Sequence, residues 1–337
     1  MSFIPGDPTV TLPVIFAALM GLSILIYVVL DGFDLGVGIL TPLASDAQKD
    51  RMVASIGPFW DANETWLVMA VGLLLVAFPV AHGAILTALY LPVALMLIGL
   101  ILRGVAFEFR AKVPTPKKAL WNRAFFGGSL LTALSQGYML GFYIMGLEHS
   151  WSAHVFAMLT GFALTAGFAF LGACWLILKT EGALQGKAIL WARRTLWAVA
   201  AGLGAVSLAT PLVSARIWER WFSVPEFFVL APLPLLSFAL VAGLWVILRT
   251  RQVAHDSFAW LPFAGASLLY ILAFTGLAYS FYPFVVPDKV TIYDAAAAPE
   301  SLFIILIGVL IVLPIIAGYS ALSYYIFRGK ARDLRYD

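Results

Sequence analysis

Gly57 to Val80 reads GPFWDANETWLVMAVGLLLVAFPV, a run long and apolar enough to cross a bilayer that still carries Asp61 and Glu64 in its first turns. A carboxylate at bilayer depth costs about 3 kcal/mol unless it is paired, protonated or reached by internal water. Helical residues three apart share a face and rise about 1.5 Å each, so the two carboxyls point the same way, with Glu64 roughly 4–5 Å further in. That spacing suits a proton relay entering from one side of a membrane.

Composition sets the frame for this segment. Of 337 residues, 62% are hydrophobic and 12% charged, and the mean hydropathy is +0.95. Such a chain is no soluble globular protein; its expected class is all-α, a polytopic membrane protein. Eleven Trp and twelve Tyr fit the belts where an amphipathic ring sits between hydrocarbon and water. Cys174, the single cysteine, allows no intrachain disulfide and no thiolate cluster, and reads as a small core residue. The opening MSFIPGDP has no basic n-region, so the first apolar run is expected to remain as a spanning helix.

Runs near 20 apolar residues predict nine helices, near Val10–Leu30, Gly57–Phe78, Gly83–Leu102, Phe125–Met145, Val155–Leu178, Leu196–Val213, Phe227–Leu248, Trp260–Phe281 and Leu302–Phe327. Turn chemistry marks several breaks: Phe78-Pro79 with Gly83, Val113-Pro114 with Pro116, and Tyr282-Pro283 with Pro287. No soluble domain fits between the runs. Alternate connections collect Lys49 and Arg51, the cluster from Arg103 to Arg123, Lys179 to Arg194, Arg249 and Arg251, and Arg328 to Arg335, which leaves only Arg216, Arg220 and Lys289 for the other side. The positive-inside rule then predicts an outer N-terminus and a cytoplasmic C-terminus, which needs an odd number of spans.

In that orientation the Asp61 end of the second helix faces the cytoplasm. Asp31 and Asp34, in DGFDLGVG, fall at the inner end of the first helix, and Arg103, Glu108 and Arg110, in LRGVAFEFR, at the inner end of the third. Short connections make these helices neighbours, so their polar ends should converge. An ion pair of Asp61 or Asp31 with Arg103, with a hydrated inlet behind it, is the expectation. Blander readings stand beside it. Asp31 and Asp34 suit a solvated helix end whose Gly32, Gly36 and Gly38 allow close packing or a bend. Arg103 can snorkel to the interface. Glu108, Arg110 and Lys112 suit interfacial charges, and Glu64 can serve as a structural partner of Arg103.

The histidines argue against a haem in this chain. His82, His149 and His154 fall in or beside outer connections and His255 in a polar inner one, so none is placed mid-membrane as an axial ligand. Met69, Met96 and Met139 read as packing. His82, His149 and His154 could meet on the outer face, but no metal is assigned. Phosphate-loop, zinc-protease and nucleophile-elbow patterns are absent from the sequence. The basic inner connections imply anionic lipid headgroups, and nucleic acid is not an expected partner.

Four segments, DGFDLGVGIL at 31–40, GPFWDANETWLV at 57–68, LRGVAFEFR at 102–110 and YPFVVPDKVTIYDAAAAPESL at 282–302, in this order and spacing, resemble subunit II of the cytochrome bd-type quinol oxidases. The short sixth connection is similar to the cyanide-insensitive branch. The resemblance implies a single integral membrane domain of nine helices, two four-helix bundles (helices 1–4, about 10–146; helices 5–8, about 155–282) plus a peripheral helix (about 301–327). It implies a larger partner, subunit I, holding two b-type haems and a haem d (or b-like) and oxidising quinol in a bacterial inner membrane. A small accessory subunit and a structural quinone belong to the same expectation. The acid of the W-D-x-N motif, Asp61 here, would belong to a proton route from the cytoplasm toward the oxygen-reducing haem; some relatives carry Gln where this chain has Glu64. Two rivals remain at this point: a proton-coupled secondary transporter, for which no clearly matched pair of broken helices is visible, and a purely structural subunit.

Overall fold

The computed structural model describes residues 6–113, 115–213, 215–255 and 257–331. Most of the N-terminal stretch singled out above, Pro114 of the proline turn, and Arg332 and Arg335 of the basic cluster lie outside the described residues.

The first helix, α1 (Pro8–Leu40), is opened by Asp7, whose Oδ1 accepts from the Thr9 N–H at 2.9 Å, with proline next in line. It runs ten residues past the expected end at Leu30, because DGFDLGVGIL holds no helix stop and two of its glycines, Gly32 and Gly36, face another helix, α6 (Trp151–Lys179). A Cβ on Gly36 would sit 1.8 Å from the Phe168 carbonyl oxygen, and one on Gly172 would sit 2.4 Å from the Gly36 carbonyl carbon. The two backbones therefore touch, which small residues permit in lipid. Asp31 and Asp34 are fully buried by this packing and do not form a solvated helix end.

The connection after α1 folds into α2 (Asp46–Ile56), started by a capping box between Ser45 and Gln48 that the apolar-run reading passed over. Next come α3 (Trp60–Ala77) and α4 (Pro79–Lys112), separated only by Phe78 at the predicted proline break. They are followed by α5 (Thr115–Ile144), α6, and α7 (Gly182–Val213). The short α8 (Ala215–Phe222) and α9 (Glu226–Leu230) lead to α10 (Pro232–Ile247) and α11 (Leu261–Phe281). An antiparallel pair of strands, β1 (Phe284–Val286) and β2 (Val290–Thr291), and one turn of helix, α12 (Ile292–Ala295), precede α13 (Pro299–Ile326).

Among the described residues, eight helical stretches are long and apolar enough to cross a membrane: α1, α3, α4, α6, α7, α9 with α10, α11 and α13. The expected run Phe125–Met145 lies in α5, which is not among the eight. Its length suffices, but Ser129, Thr132, Ser135 and Gln136 lower its hydropathy. The first three of these are buried, where α5 packs between α4 and α6.

The two larger of four apolar clusters hold most of the chain together. One gathers Phe33, Phe59 and Trp175, with the Phe33 and Trp175 rings stacked at 4.1 Å. The other gathers Leu12, Phe16, Phe78 and Phe142 with Val285 and Val286 of β1.

Candidate functional site

Arg103 of α4 is the hub of a buried polar cluster. Its Nη2 donates to Asp31 Oδ1 of α1 at 2.6 Å and also to the Glu64 carboxylate of α3. The guanidinium side chain is 3% exposed and that of Asp31 0%, so the pair is withdrawn from solvent and does not snorkel. Gly128 of α5 makes this possible: a Cβ there would lie 2.7 Å from the Arg103 backbone nitrogen, and its absence lets α5 close over the arginine.

A second strand of contacts extends the cluster. Asn63 Nδ2 donates to Asp34 Oδ2 at 2.8 Å, and Tyr324 of α13 donates to Asn63 Oδ1 at 3.0 Å. One turn away, Trp66 Nε1 donates to Ser320 Oγ at 3.2 Å. On the other flank Gln136 Nε2 donates to the Tyr27 hydroxyl at 2.5 Å, one turn before Asp31. Asp31 Oδ2, Asp34 Oδ1, and Arg103 Nε and Nη1 are buried without a protein hydrogen-bond partner. Buried polar atoms of this kind are ordinarily satisfied by internal water.

Asp61 stands apart from this network. It is exposed on the chain's surface and makes no side-chain hydrogen bond or ion pair among the described residues. Its like-charged neighbour is Glu108 of α4, itself 50% exposed and 3.4 Å from Lys112. The expected pairing with Arg103 thus falls to Asp31 and Glu64. A separation of three residues still leaves about 60° of rotation between two side chains. That angle turns Asp61 outward, above Val68 and Leu75 at seven-residue steps, while Glu64 turns in with its side chain 30% exposed. Arg110 is buried rather than interfacial, bonded to Asp50 at 2.7 Å and Asn122 at 2.6 Å.

Sequence reasoning missed Asn63, Tyr324, Tyr27 and Gln136. Asn63 had a visible signal, an amide between two acids in an apolar helix. Tyr324 had none, since a tyrosine near a helix end reads as an interfacial anchor. The histidines stand near helix ends, with His154 Nδ1 2.6 Å from the Tyr138 hydroxyl and its ring 5.7 Å from that of His149. Among the described residues, no three His, Cys, Asp or Glu side chains gather as metal ligands.

With this geometry in hand, the chain can be set beside known proteins. A family model described as cytochrome bd terminal oxidase subunit II matches residues 12–327. The chain belongs to that family. Subunit 2 of the cytochrome bd ubiquinol oxidase of Bacillus subtilis is 30% identical over 322 residues, covering 89% of this chain and 91% of the relative. Subunit 2 of the bd-I ubiquinol oxidase of Escherichia coli K12 is 27% identical over 359 residues, 93% of each. A chain from the structure of the bd oxidase of Geobacillus thermodenitrificans shares the fold with a TM-score of 0.71 at 18% identity, over 94% of this chain and 98% of that one. This subunit II is therefore a multi-pass membrane protein of the bd oxidase family, and a subunit II implies a partner subunit I.

Chemically, the arrangement is a ladder. Asp61 is open to the surface at the end of α3, Glu64 is half-buried one turn further in, and Asp31 and Asp34 are fully buried behind Arg103. Carboxylates are groups that exchange protons, and the unpartnered atoms of Asp31, Asp34 and Arg103 are places for water at the inner rungs.

Proposed function

We propose that this chain is the proton-inlet subunit of a quinol:oxygen oxidoreductase. The observation that carries the reading is the graded burial of three acids, exposed Asp61, half-buried Glu64 and buried Asp31, the inner two of which share Arg103. In this reading nine helices span a bacterial inner membrane as one integral membrane domain, arranged as two four-helix bundles plus peripheral α13, with α5 as the span that hydropathy alone does not select. The N-terminus lies outside and the C-terminus in the cytoplasm, so Asp61 opens to the cytoplasmic side.

Quinol is oxidised in the partner subunit near the outer face and its protons leave there; oxygen is reduced to water with protons drawn from the cytoplasm. Taking protons from one side and releasing them on the other separates charge without a pump. The haems, b-type with haem d or a b-like haem, belong to the partner, because the residues of this chain do not fit axial ligation: its histidines stand near helix ends. The chain's own residues act on protons. Asp61 takes them up at the surface, Glu64 receives them one turn in, and Arg103 holds Glu64 and Asp31 in register. The cyanide-insensitive branch, a small accessory subunit and a structural quinone in this chain belong to the same proposal.

The decisive substitution is Asp61→Asn in the assembled complex. With the haem spectrum intact, oxygen reduction is expected to slow far more than quinol binding. Full turnover at normal haem content would remove Asp61 from the route. The closed triad of Arg103, Asp31 and Glu64 favours a second reading, a structural subunit that braces its partner; it predicts haem loss on substitution of the triad and normal turnover for Asp61→Asn. Family membership weighs against a transporter acting alone.

A further inference from the structure

Helices α7 and α10 meet at a cleft of about 50 Å³ lined by Arg193, Leu196, Trp197, Trp245, Leu248 and Arg249. Both arginines are held in place. Arg193 Nε donates to the Leu248 carbonyl at 2.6 Å, which satisfies an end carbonyl of α10. The Arg249 guanidinium stacks on Trp245, 3.8 Å from the ring centroid. Neither is neutralised: among the described residues, no carboxylate lies within 4.0 Å of Arg193, Arg249 or the neighbouring Arg194. An uncompensated pair of guanidiniums on one small cleft is a site for an anion, and the cleft is larger than the roughly 10–15 Å³ that one water needs by the same measure.

The surroundings say which anion. Trp197 is 60% exposed and Trp245 36%, a pair of open indoles of the kind that lies at headgroup level. Further along the same two helices, Leu208 and Leu212 on α7 and Leu235 and Phe238 on α10 are each more than two-thirds exposed. A ligand matching this order has an acidic head, a mid-polar joint and apolar tails. Guanidinium forks fit the paired oxygens of a phosphate diester.

We propose that the α7/α10 furrow binds one anionic phospholipid, its phosphate between Arg193 and Arg249, its glycerol esters between Trp197 and Trp245, and its acyl chains along the apolar faces beyond. On the orientation proposed above this is an inner-leaflet site. A zwitterionic lipid fits less well, because its own cation would be brought toward two arginines. The inference goes beyond the proton route and does not depend on it, since none of these residues belongs to the Arg103 cluster.

The test uses the purified complex of this chain with its partner subunit, stripped of lipid in detergent and titrated with dioleoylphosphatidylglycerol or dioleoylphosphatidylcholine, with bound lipid counted by native mass spectrometry. One phosphatidylglycerol should bind the wild type in preference to phosphatidylcholine. Each arginine removed should weaken that binding roughly fivefold, so Arg193→Ala with Arg249→Ala weakens it roughly twenty-fivefold. Arg249→Lys, which keeps the charge but loses the planar fork and the stack on Trp245, should bind between the wild type and Arg249→Ala. Equal binding of the two lipids, or unchanged phosphatidylglycerol binding in the double variant, overturns the proposal. Displacement of the lipid by millimolar inorganic phosphate also overturns it, by showing a free-anion site. Should the double variant fail to assemble, Arg249→Ala alone decides, since that side chain makes no hydrogen bond among the described residues.

Discussion

Gly36→Ala tests whether the close approach of α1 and α6 is what buries the acids. The added Cβ would stand 1.8 Å from the Phe168 carbonyl oxygen, 2.6 Å from its carbonyl carbon and 2.9 Å from the Gly172 nitrogen, where ordinary contact begins at 3.4 Å. All three are backbone atoms, so no rotamer change relieves the clash and the helices must part by roughly 1.6 Å, the difference between 3.4 and 1.8. A gap of that size forfeits at least half the dispersion well of each atom pair across the seam. With about 0.15 kcal/mol per pair and on the order of forty pairs, the loss is about 3 kcal/mol, at the upper end of what overpacking usually costs. At about 2.1 cal/mol/K per residue over 337 residues, the thermal midpoint of the purified complex, followed by tryptophan fluorescence, should fall by at most about 4 °C. Gly72→Ala is the control, since a Cβ there meets nothing within 4 Å, and it should leave the midpoint unchanged or slightly higher. Gly32→Ala should fall between them, because its 2.8 Å neighbours are ring atoms of Phe168 that can turn. If Gly36→Ala melts with the wild type, the α1–α6 seam is not the tight contact described, and the burial of Asp31 and Asp34 needs another cause.

Arg103→Met should destabilise the complex by about 3–5 kcal/mol by leaving Asp31 and Glu64 without their shared partner; adding Asp31→Asn should recover part of the loss, and strict additivity in the double variant would argue against a pair. Lys179→Met should loosen the end of α13. Lys179 Nζ donates to the Phe327 carbonyl at 2.5 Å and lies over the Phe59 and Trp175 rings at 5.2 and 5.3 Å, contacts together worth about 2–4 kcal/mol. Amide exchange near Phe327 should speed up while that of α6 stays slow, and an unchanged exchange pattern would show that the lysine holds nothing.

Most of the long helices were legible because lipid enforces them: a span must satisfy its backbone internally and be apolar over about 20 residues. The same rule explains the errors. Helix α1 was cut short at Asp31, since an acid inside a span is unfavourable unless something remote pairs with it, and Arg103 is 72 residues away in the chain. Helix α5 reads as a run like the others, and its Ser, Thr and Gln are tolerated because α4 and α6 flank it. Helix α7 was started at Leu196, fourteen residues late, because Lys187, Arg193 and Arg194 look like a loop until the helix is seen to continue from Gly182 toward headgroup level. At the site, the convergence of polar residues from three neighbouring helices is readable, but the choice of partner is not: sequence spacing gives a rough face, and the 60° between Asp61 and Glu64 decides which acid meets Arg103.

That angular separation is also what makes the two readings of the subunit distinguishable. A brace needs only Arg103 and the two carboxylates bonded to it, and any substitution there disturbs packing whichever reading holds, so loss of activity in those variants carries little information. Asp61 contributes nothing to the brace: it is exposed and bonded to no side chain among the described residues. Replacing its carboxylate with an amide of the same shape removes a proton-carrying group and leaves the buried cluster as it was. A slow, fully haem-loaded Asp61→Asn enzyme therefore has no explanation in the brace reading, while a fast one has none in the inlet reading.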